Sequence, residues 1–220
     1  MEKLIDEVEL REGWYWPRTD QSCWAFMQAY PKLPQEVAEF VTNKRVVVQA
    51  GGNCGFYPKQ YADLFDTVYT FEPEWLNFYC LNLNVPESNV IKNQSCLGNT
   101  HQLVNLAIKP KNRGKNYVKG RGNYPTYRID DLNLEVCDLI HLDIEGYEYY
   151  ALQGAEETIK RCKPVIVIEM WDKLDNRFEE NINEKTNALL TSLGYSYLQT
   201  LHESDKVYLP NEIIHNQTKE

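Results

Sequence analysis

Four short apolar runs separated by helix-length segments fix the architecture open to this chain. They are RVVVQA (45–50), TVYTF (67–71), VCDLIHL (136–142) and PVIVIEM (164–170), with a shorter strand fitting 89–93. A strand with one wet face alternates apolar and polar residues; near-continuous apolar runs have both faces covered. Helical patterns fill the gaps. Tyr57 to Phe65 follows the first run, with Pro58 where a first helical turn tolerates it, and Pro73 to Leu83 repeats Trp75, Phe78, Tyr79 and Leu83 at helical spacing. A third helix is predicted from about Tyr147 to Cys162, and a fourth over Arg177 to Leu193, striped by Ile182, Leu189, Leu190 and Leu193 and stopped by Gly194. YSYLQTL and DKVYLP then close the chain as a pair of strands around HES. Alternating units of this kind predict an α/β fold, a mostly parallel sheet with helices on both faces.

At 220 residues with no break in composition, one domain is expected: a helical, aromatic cap over 1–44 and a core over 45–210. A formal charge of −9 argues against a nucleic-acid partner, since phosphate contacts need a cationic surface. One segment runs against that charge. Between Ile108 and Tyr124 lie Lys109, Lys111, Arg113, Lys115, Lys119 and Arg121 with no acid among them, which reads either as a solvated loop or as an electrostatic guide for an anionic substrate. No run approaches the ~18 apolar residues of a membrane span, and the charged N-terminus argues for a cytoplasmic protein. Six cysteines without a CxxC pair predict reduced, mostly buried thiols and no structural metal.

In such a sheet, ligands bind beyond the carboxyl ends of the strands, where strand order reverses. Chemistry is therefore expected at Gln49 to Gly55, Glu72, Asp143 to Gly146 and Glu169. The turn Gln49-Ala50-Gly51-Gly52-Asn53-Cys54-Gly55 lets a ligand approach the backbone and opens a helix whose N–H groups are free. It is not a strict GxGxxG. Glu72 follows Gly51 by twenty-one residues, the place from which a carboxylate accepts hydrogen bonds from ribose hydroxyls. Its competing reading is an acid favoured by a helix N-terminus.

A third element, HLDIEGYEYYALQGAEETI from His141, gives the pattern a family likeness. Together QAGGNCGFY, FEPEWLNFYCLNLN, the IDDL at 129–132, LDIEGYEYYALQGA and VIEM resemble the FkbM family of S-adenosylmethionine-dependent methyltransferases, over roughly residues 45 to 210. The resemblance implies a class I, Rossmann-like fold with strand order 3-2-1-4-5-7-6 and an antiparallel last strand. It also implies S-adenosyl-L-methionine as cofactor, S-adenosyl-L-homocysteine as product, and methyl transfer to a hydroxyl of a saccharide, glycoconjugate or small metabolite. By position Gly51, Gly52, Asn53 and Gly55 match the cofactor turn and Glu72 the ribose acid. Residues near Gln94, Ser95 and Cys96 would border adenine, and Asp143 and Glu145 match the acidic pair after the fourth strand.

Two positions depart from the family. Gln49 stands where the class usually has an acid, leaving a neutral acceptor near the methionine portion of the cofactor. His141 stands where Lys is common, and shares a strand face with Asp143, so it is a catalytic candidate against the alternative of a hydrogen-bonded core histidine. A hydroxyl nucleophile gains from a positioned base, and Asp143, Glu145 and Glu169 are the candidates; Glu145 and Glu169 compete with readings as capping or solvent-facing acids. Clustered carboxylates would alternatively hold Mg2+. Before the sheet, GWYWPRTDQSCWAF offers Trp14, Trp16, Arg18 and Asp20 as substrate contacts, with Tyr15 and Trp24 completing an aromatic wall, or else docks an N-terminal helix on the core. Two other functions share these features: an NAD-dependent oxidoreductase, and a noncatalytic binding module that keeps the fold. A nucleic-acid methyltransferase rests only on the basic segment.

Overall fold

The computed structural model describes residues 6–171 and 179–213. Its centre is a seven-stranded sheet of β3 (Val46–Ala50), β4 (Thr67–Phe71), β5 (Val90–Asn93), β10 (Leu139–Leu142), β11 (Val165–Glu169), β12 (Tyr195–Leu201) and β13 (Asp205–Pro210). In space these run β5-β4-β3-β10-β11-β13-β12, which is 3-2-1-4-5-7-6 when the seven are numbered among themselves along the chain. Pairings from β5 to β11 are parallel; β13 runs antiparallel to both β11 and β12. The order reverses between β3 and β10, so a crevice opens beyond their carboxyl ends.

The apolar runs are continuous because alternate residues enter different cores. Val47, Leu139, Val165 and Val167 face one core with the helices α1 (Ser22–Ala29), α2 (Leu33–Ala38), α3 (Phe56–Ala62) and α4 (Trp75–Asn84). Val48, Ile140, Ile166 and Ile168 face the other, with α5 (Glu148–Gln153), α6 (Glu156–Cys162) and α7 (Ile182–Ser192). At roughly 2 kcal/mol for each fully buried aliphatic side chain, these eight positions hold the helices to both faces.

Several expectations need correction. The helix predicted from Tyr147 to Cys162 is two, because Asp130 reaches into its middle: the Asp130 N–H donates to Gly154 O (2.9 Å), and its carboxylate accepts from Thr158 N (2.8 Å), capping α6. Gly154 sits so close to Gly98 that a Cβ there would lie 2.0 Å from Gly98 O. Of the helix predicted over Arg177 to Leu193, Arg177 and Phe178 lie outside the described residues, and α7 begins at Ile182. The helical cap begins instead with a β-hairpin, β1 (Val8–Arg11) and β2 (Trp14–Pro17), turned at Glu12 and Gly13, both with positive φ. Finally, the basic segment is no loose loop. It belongs to a second sheet of order β6-β9-β7-β8, from β6 (Cys96–Leu97), β7 (Leu103–Ala107), β8 (Tyr117–Arg121) and β9 (Tyr124–Tyr127), with a 3-10 turn at Arg113–Lys115. No described helix is long and apolar enough to cross a membrane.

Candidate active site

A cavity of about 280 Å3 lies in the crevice. Its floor is formed by Gly51, Gly52 and Asn53 after β3, Glu72 after β4, Ser95 and Cys96 after β5, Asp143 and Glu145 after β10, and Glu169 at the end of β11. Five stretches that are distant in sequence therefore converge, because every parallel strand ends at the same edge. The roof comes from α1, through Cys23, Phe26 and Met27, and from Arg113 to Asn116. These two roof pieces are joined: Gln21 N and Ser22 N both donate to Lys111 O at 3.2 Å.

The floor is built by backbone contact. Gly51 has φ +84°, and a Cβ there would fall 1.9 Å from Asp143 O, so only glycine lets the first and fourth strand ends meet this closely. Gly51 N and Gly52 N both donate to Phe71 O, at 3.1 and 2.9 Å. Glu72 is then held by two backbone donors, one to each carboxylate oxygen: Asn53 N to Oε2 and Glu74 N to Oε1, both at 2.8 Å. Burial pushes its carboxyl up to about 8, against the lowering effect of those donors, and the neighbouring Glu74 carboxylate adds to the rise. Gly55 caps α3 in the left-handed conformation without lining the cavity.

Acids dominate the β10 and β11 side. Burial raises the Asp143 carboxyl well above the usual range, and the charges of Glu169, Glu145, Asp205 and Glu148 raise it further. Glu145 has φ +55° and is followed by Gly146 at +97°, a turn that puts a non-glycine residue in a disfavoured region at a cost of about 1–2 kcal/mol. Glu169 Oε1 accepts from Trp171 Nε1 at 2.8 Å. Glu148, which sequence reasoning passed over, reaches back so that its carboxylate accepts from Ile144 N (2.8 Å); burial pushes it up to about 8. Among the described residues no group of three or more His, Cys, Asp or Glu is arranged to hold a metal ion.

Besides Gly55, the predicted residues Gln49, His141, Trp14, Arg18 and Asp20 do not reach the cavity. Gln49 is wholly buried inside the sheet, its Oε1 accepting from Thr70 Oγ1 (2.6 Å) on β4 and its Nε2 donating to Ala50 O (3.0 Å). His141 is also wholly buried, with Nδ1 2.7 Å from Tyr61 Oη and its ring stacked on Tyr57 at 5.7 Å. It faces the α3 layer because it lies within the strand, whereas Asp143 lies beyond the strand end, where the shared-face argument no longer applies. Trp14 packs on Phe56 at 5.3 Å. Arg18 lies outside on the hairpin, donating to Asp6 O and Val8 O. Asp20 is buried, accepting from Trp16 Nε1 (2.9 Å) and Cys23 N (3.2 Å), and so fixes Trp16 and the start of α1. Trp16, by contrast, does line the cavity.

Tyr57 and Arg113 are among the wall residues that were missed. Tyr57, in the first turn of α3, lines the cavity, and burial and the Asp143 charge raise its hydroxyl. Arg113, masked in sequence by five neighbouring exposed cations, is buried in the roof with Nη1 2.9 Å from Glu74 Oε2.

Strand order, a glycine turn pressed on the fourth strand end, and a backbone-anchored acid after the second strand define a class I methyltransferase architecture. The chain belongs to the methyltransferase FkbM domain family, whose model matches residues 49–197. Among solved structures it is similar to the methyltransferase FkbM from Methylobacillus flagellatus KT, at 18% identity and TM-score 0.52, over 76% of this chain and 43% of that one. It thus spans less than half of that protein's length. A TehB-like SAM-dependent methyltransferase from Corynebacterium glutamicum ATCC 13032 Kitasato aligns at 11% identity and TM-score 0.49, over 85% and 93% of the two chains. A SAM-dependent methyltransferase from Aquifex aeolicus aligns at 13% and 0.47, over 83% and 92%. At these identities the likeness is one of fold. No curated protein matches the sequence.

Proposed function

We propose that the chain is an S-adenosylmethionine-dependent methyltransferase acting on a hydroxyl oxygen of a saccharide, glycoconjugate or small metabolite. The observation that carries this reading is Glu72: both its oxygens are oriented by backbone donors at the cavity floor, beside the glycine turn. A carboxylate fixed in that way suits two ribose hydroxyls. Gly51, Gly52 and Asn53 would lie along the rest of the cofactor, and Ser95 and Cys96, whose side chains line the same cavity, would border adenine. Asp143 completes this set from the fourth strand.

The bound cofactor would supply an electrophilic methyl group on a sulfonium. What remains for the protein is to place the acceptor oxygen about 3 Å from that carbon and to take its proton, and placement alone contributes much of the rate. Asp143 is our assignment for the proton acceptor, with Glu169 and Glu145 beside it. Carboxyls that resist joint ionisation leave whichever one does ionise a stronger base. Trp16, Phe26 and Tyr57 would exclude water and pack against the acceptor. On this reading 45–210 is the catalytic core of a single domain capped by 1–44. A cytoplasmic location agrees with the six free cysteines.

Calorimetry with S-adenosylmethionine and S-adenosylhomocysteine tests the proposal, with micromolar binding of both expected. Binding of neither overturns it. Tight NADH binding instead would favour an oxidoreductase, and cofactor binding without labelled methyl transfer to any extract component a binding module.

A further inference from the structure

The cavity has an acidic wall and, among the described residues that line it, one buried cation. Arg113 is 8% exposed, and its Nη1 lies 2.9 Å from Glu74 Oε2. That contact is off axis: neither Nη1 nor Nε makes a hydrogen bond, although both are buried in a residue that lines the cavity. A buried guanidinium with open donors is poorly solvated and presents a planar fork suited to carboxylate or phosphate. Glu74 does not exhaust it, because its Oε2 also accepts from Asn77 N at the start of α4.

Charge around the opening points the same way. Lys115 is exposed and also lines the cavity, and Lys109, Lys111, Lys119 and Arg121 are exposed on the same segment of a chain whose net charge is −9. The cofactor of the proposed reaction carries no anion on its nucleoside half, which is where Glu72 and Glu74 place Arg113. An oxyanion received there has to come with the second substrate.

We infer that the methyl acceptor is an anionic alcohol, a hydroxyl compound bearing a carboxylate or phosphate, and that Arg113 receives the anionic group while Lys115 stands at the mouth. This rests on the methyl-transfer reading above.

The test uses the full chain saturated with S-adenosylhomocysteine, titrated calorimetrically with inorganic phosphate and, separately, acetate, at ionic strength fixed with sodium chloride. Saturable binding of at least one anion is expected; phosphate alone indicates phosphorylated acceptors, acetate alone carboxylated ones. Arg113→Lys keeps a cation beside Glu74 but removes Nε and the fork, and should weaken that binding by about tenfold or more while S-adenosylhomocysteine affinity stays within about twofold. Lys115→Gln, on the surface, should weaken it by a smaller factor and serves if Arg113→Lys does not fold. No saturable binding of either anion overturns the inference. So does unchanged anion affinity in Arg113→Lys, or in Lys115→Gln where that variant decides, or a parallel loss of S-adenosylhomocysteine affinity. Should S-adenosylhomocysteine fail to bind the parent, the methyl-transfer reading fails by itself, and the same titrations on the free chain still decide whether Arg113 holds an anion.

Discussion

Gly51 and Asp143 are in backbone contact: Asp143 O occupies the space where a Cβ on Gly51 would lie, 1.9 Å away. The glycine turn and the acidic turn are thereby one unit, and their separation in sequence is bridged by the parallel pairing of β3 with β10.

Gly51→Ala combines that clash with a positive φ, so we expect a loss of about 3 kcal/mol or more. For a chain of this size that lowers Tm by roughly 6–12 °C. Thermal unfolding measures it, and an unchanged Tm would show that the two turns can separate freely.

Glu72→Gln preserves shape but cannot satisfy two backbone donors, because its amide nitrogen would face one of them. A stability loss of about 1–3 kcal/mol is expected. Loss of S-adenosylhomocysteine affinity by about tenfold or more should accompany it, read by calorimetry.

Stability should fall as pH rises from about 5 to 8. Glu72 and Glu148 are both raised to about 8, so the folded chain holds protons that the unfolded chain has already released. The stabilisation is complete below the unfolded carboxyl range of about 4.3 and is lost as pH passes through the folded values. Each such proton tilts stability by up to about 1.4 kcal/mol per pH unit, and Glu148→Gln should flatten the slope in urea unfolding series.

Asp143→Asn and a His141 variant should separate chemistry from packing. We expect Asp143→Asn to lower kcat by about 10²–10⁴-fold, a larger effect than its loss of cofactor affinity. His141→Asn should lower stability by about 1–3 kcal/mol, through the lost Tyr61 contact, with kcat of the folded protein near parent. A kcat loss without a stability loss at His141 would return it to the chemistry.

Gln49→Glu should destabilise by about 2–4 kcal/mol, since it buries a carboxylate at a position with no exposure and replaces the donor to Ala50 O. Cofactor affinity should not improve. Tighter binding would mean that this side chain reaches the cofactor after all.

Much of the sheet was legible because its inner strands are near-continuous apolar runs and its last two are short segments set off around HES: the boundaries of β4, β12 and β13 coincide with TVYTF, YSYLQTL and DKVYLP. Gly51, Asn53, Glu72 and Asp143 were legible as residues that follow strands, and Glu169 as one that ends a strand. The second sheet was not. LVNLA and YVKGR are short and largely exposed, and the positive charge of YVKGR reads as loop until β7 and β8 pair. Nor was the split between α5 and α6, since the cap that breaks the helix comes from Asp130, far away in sequence.

The sequence by itself therefore determined the layered α/β plan and the edge where chemistry gathers, because local periodicity and strand ends are written residue by residue. Only the tertiary structure decided which polar groups face the cavity. Gln49 and His141 turn into the sheet's packing, Trp14, Arg18 and Asp20 are spent on the hairpin and the start of α1, and Tyr57 and Arg113 take places in the wall. Which way a side chain faces at a strand end depends on the partner across the ladder or above the turn, and those partners lie dozens of residues away.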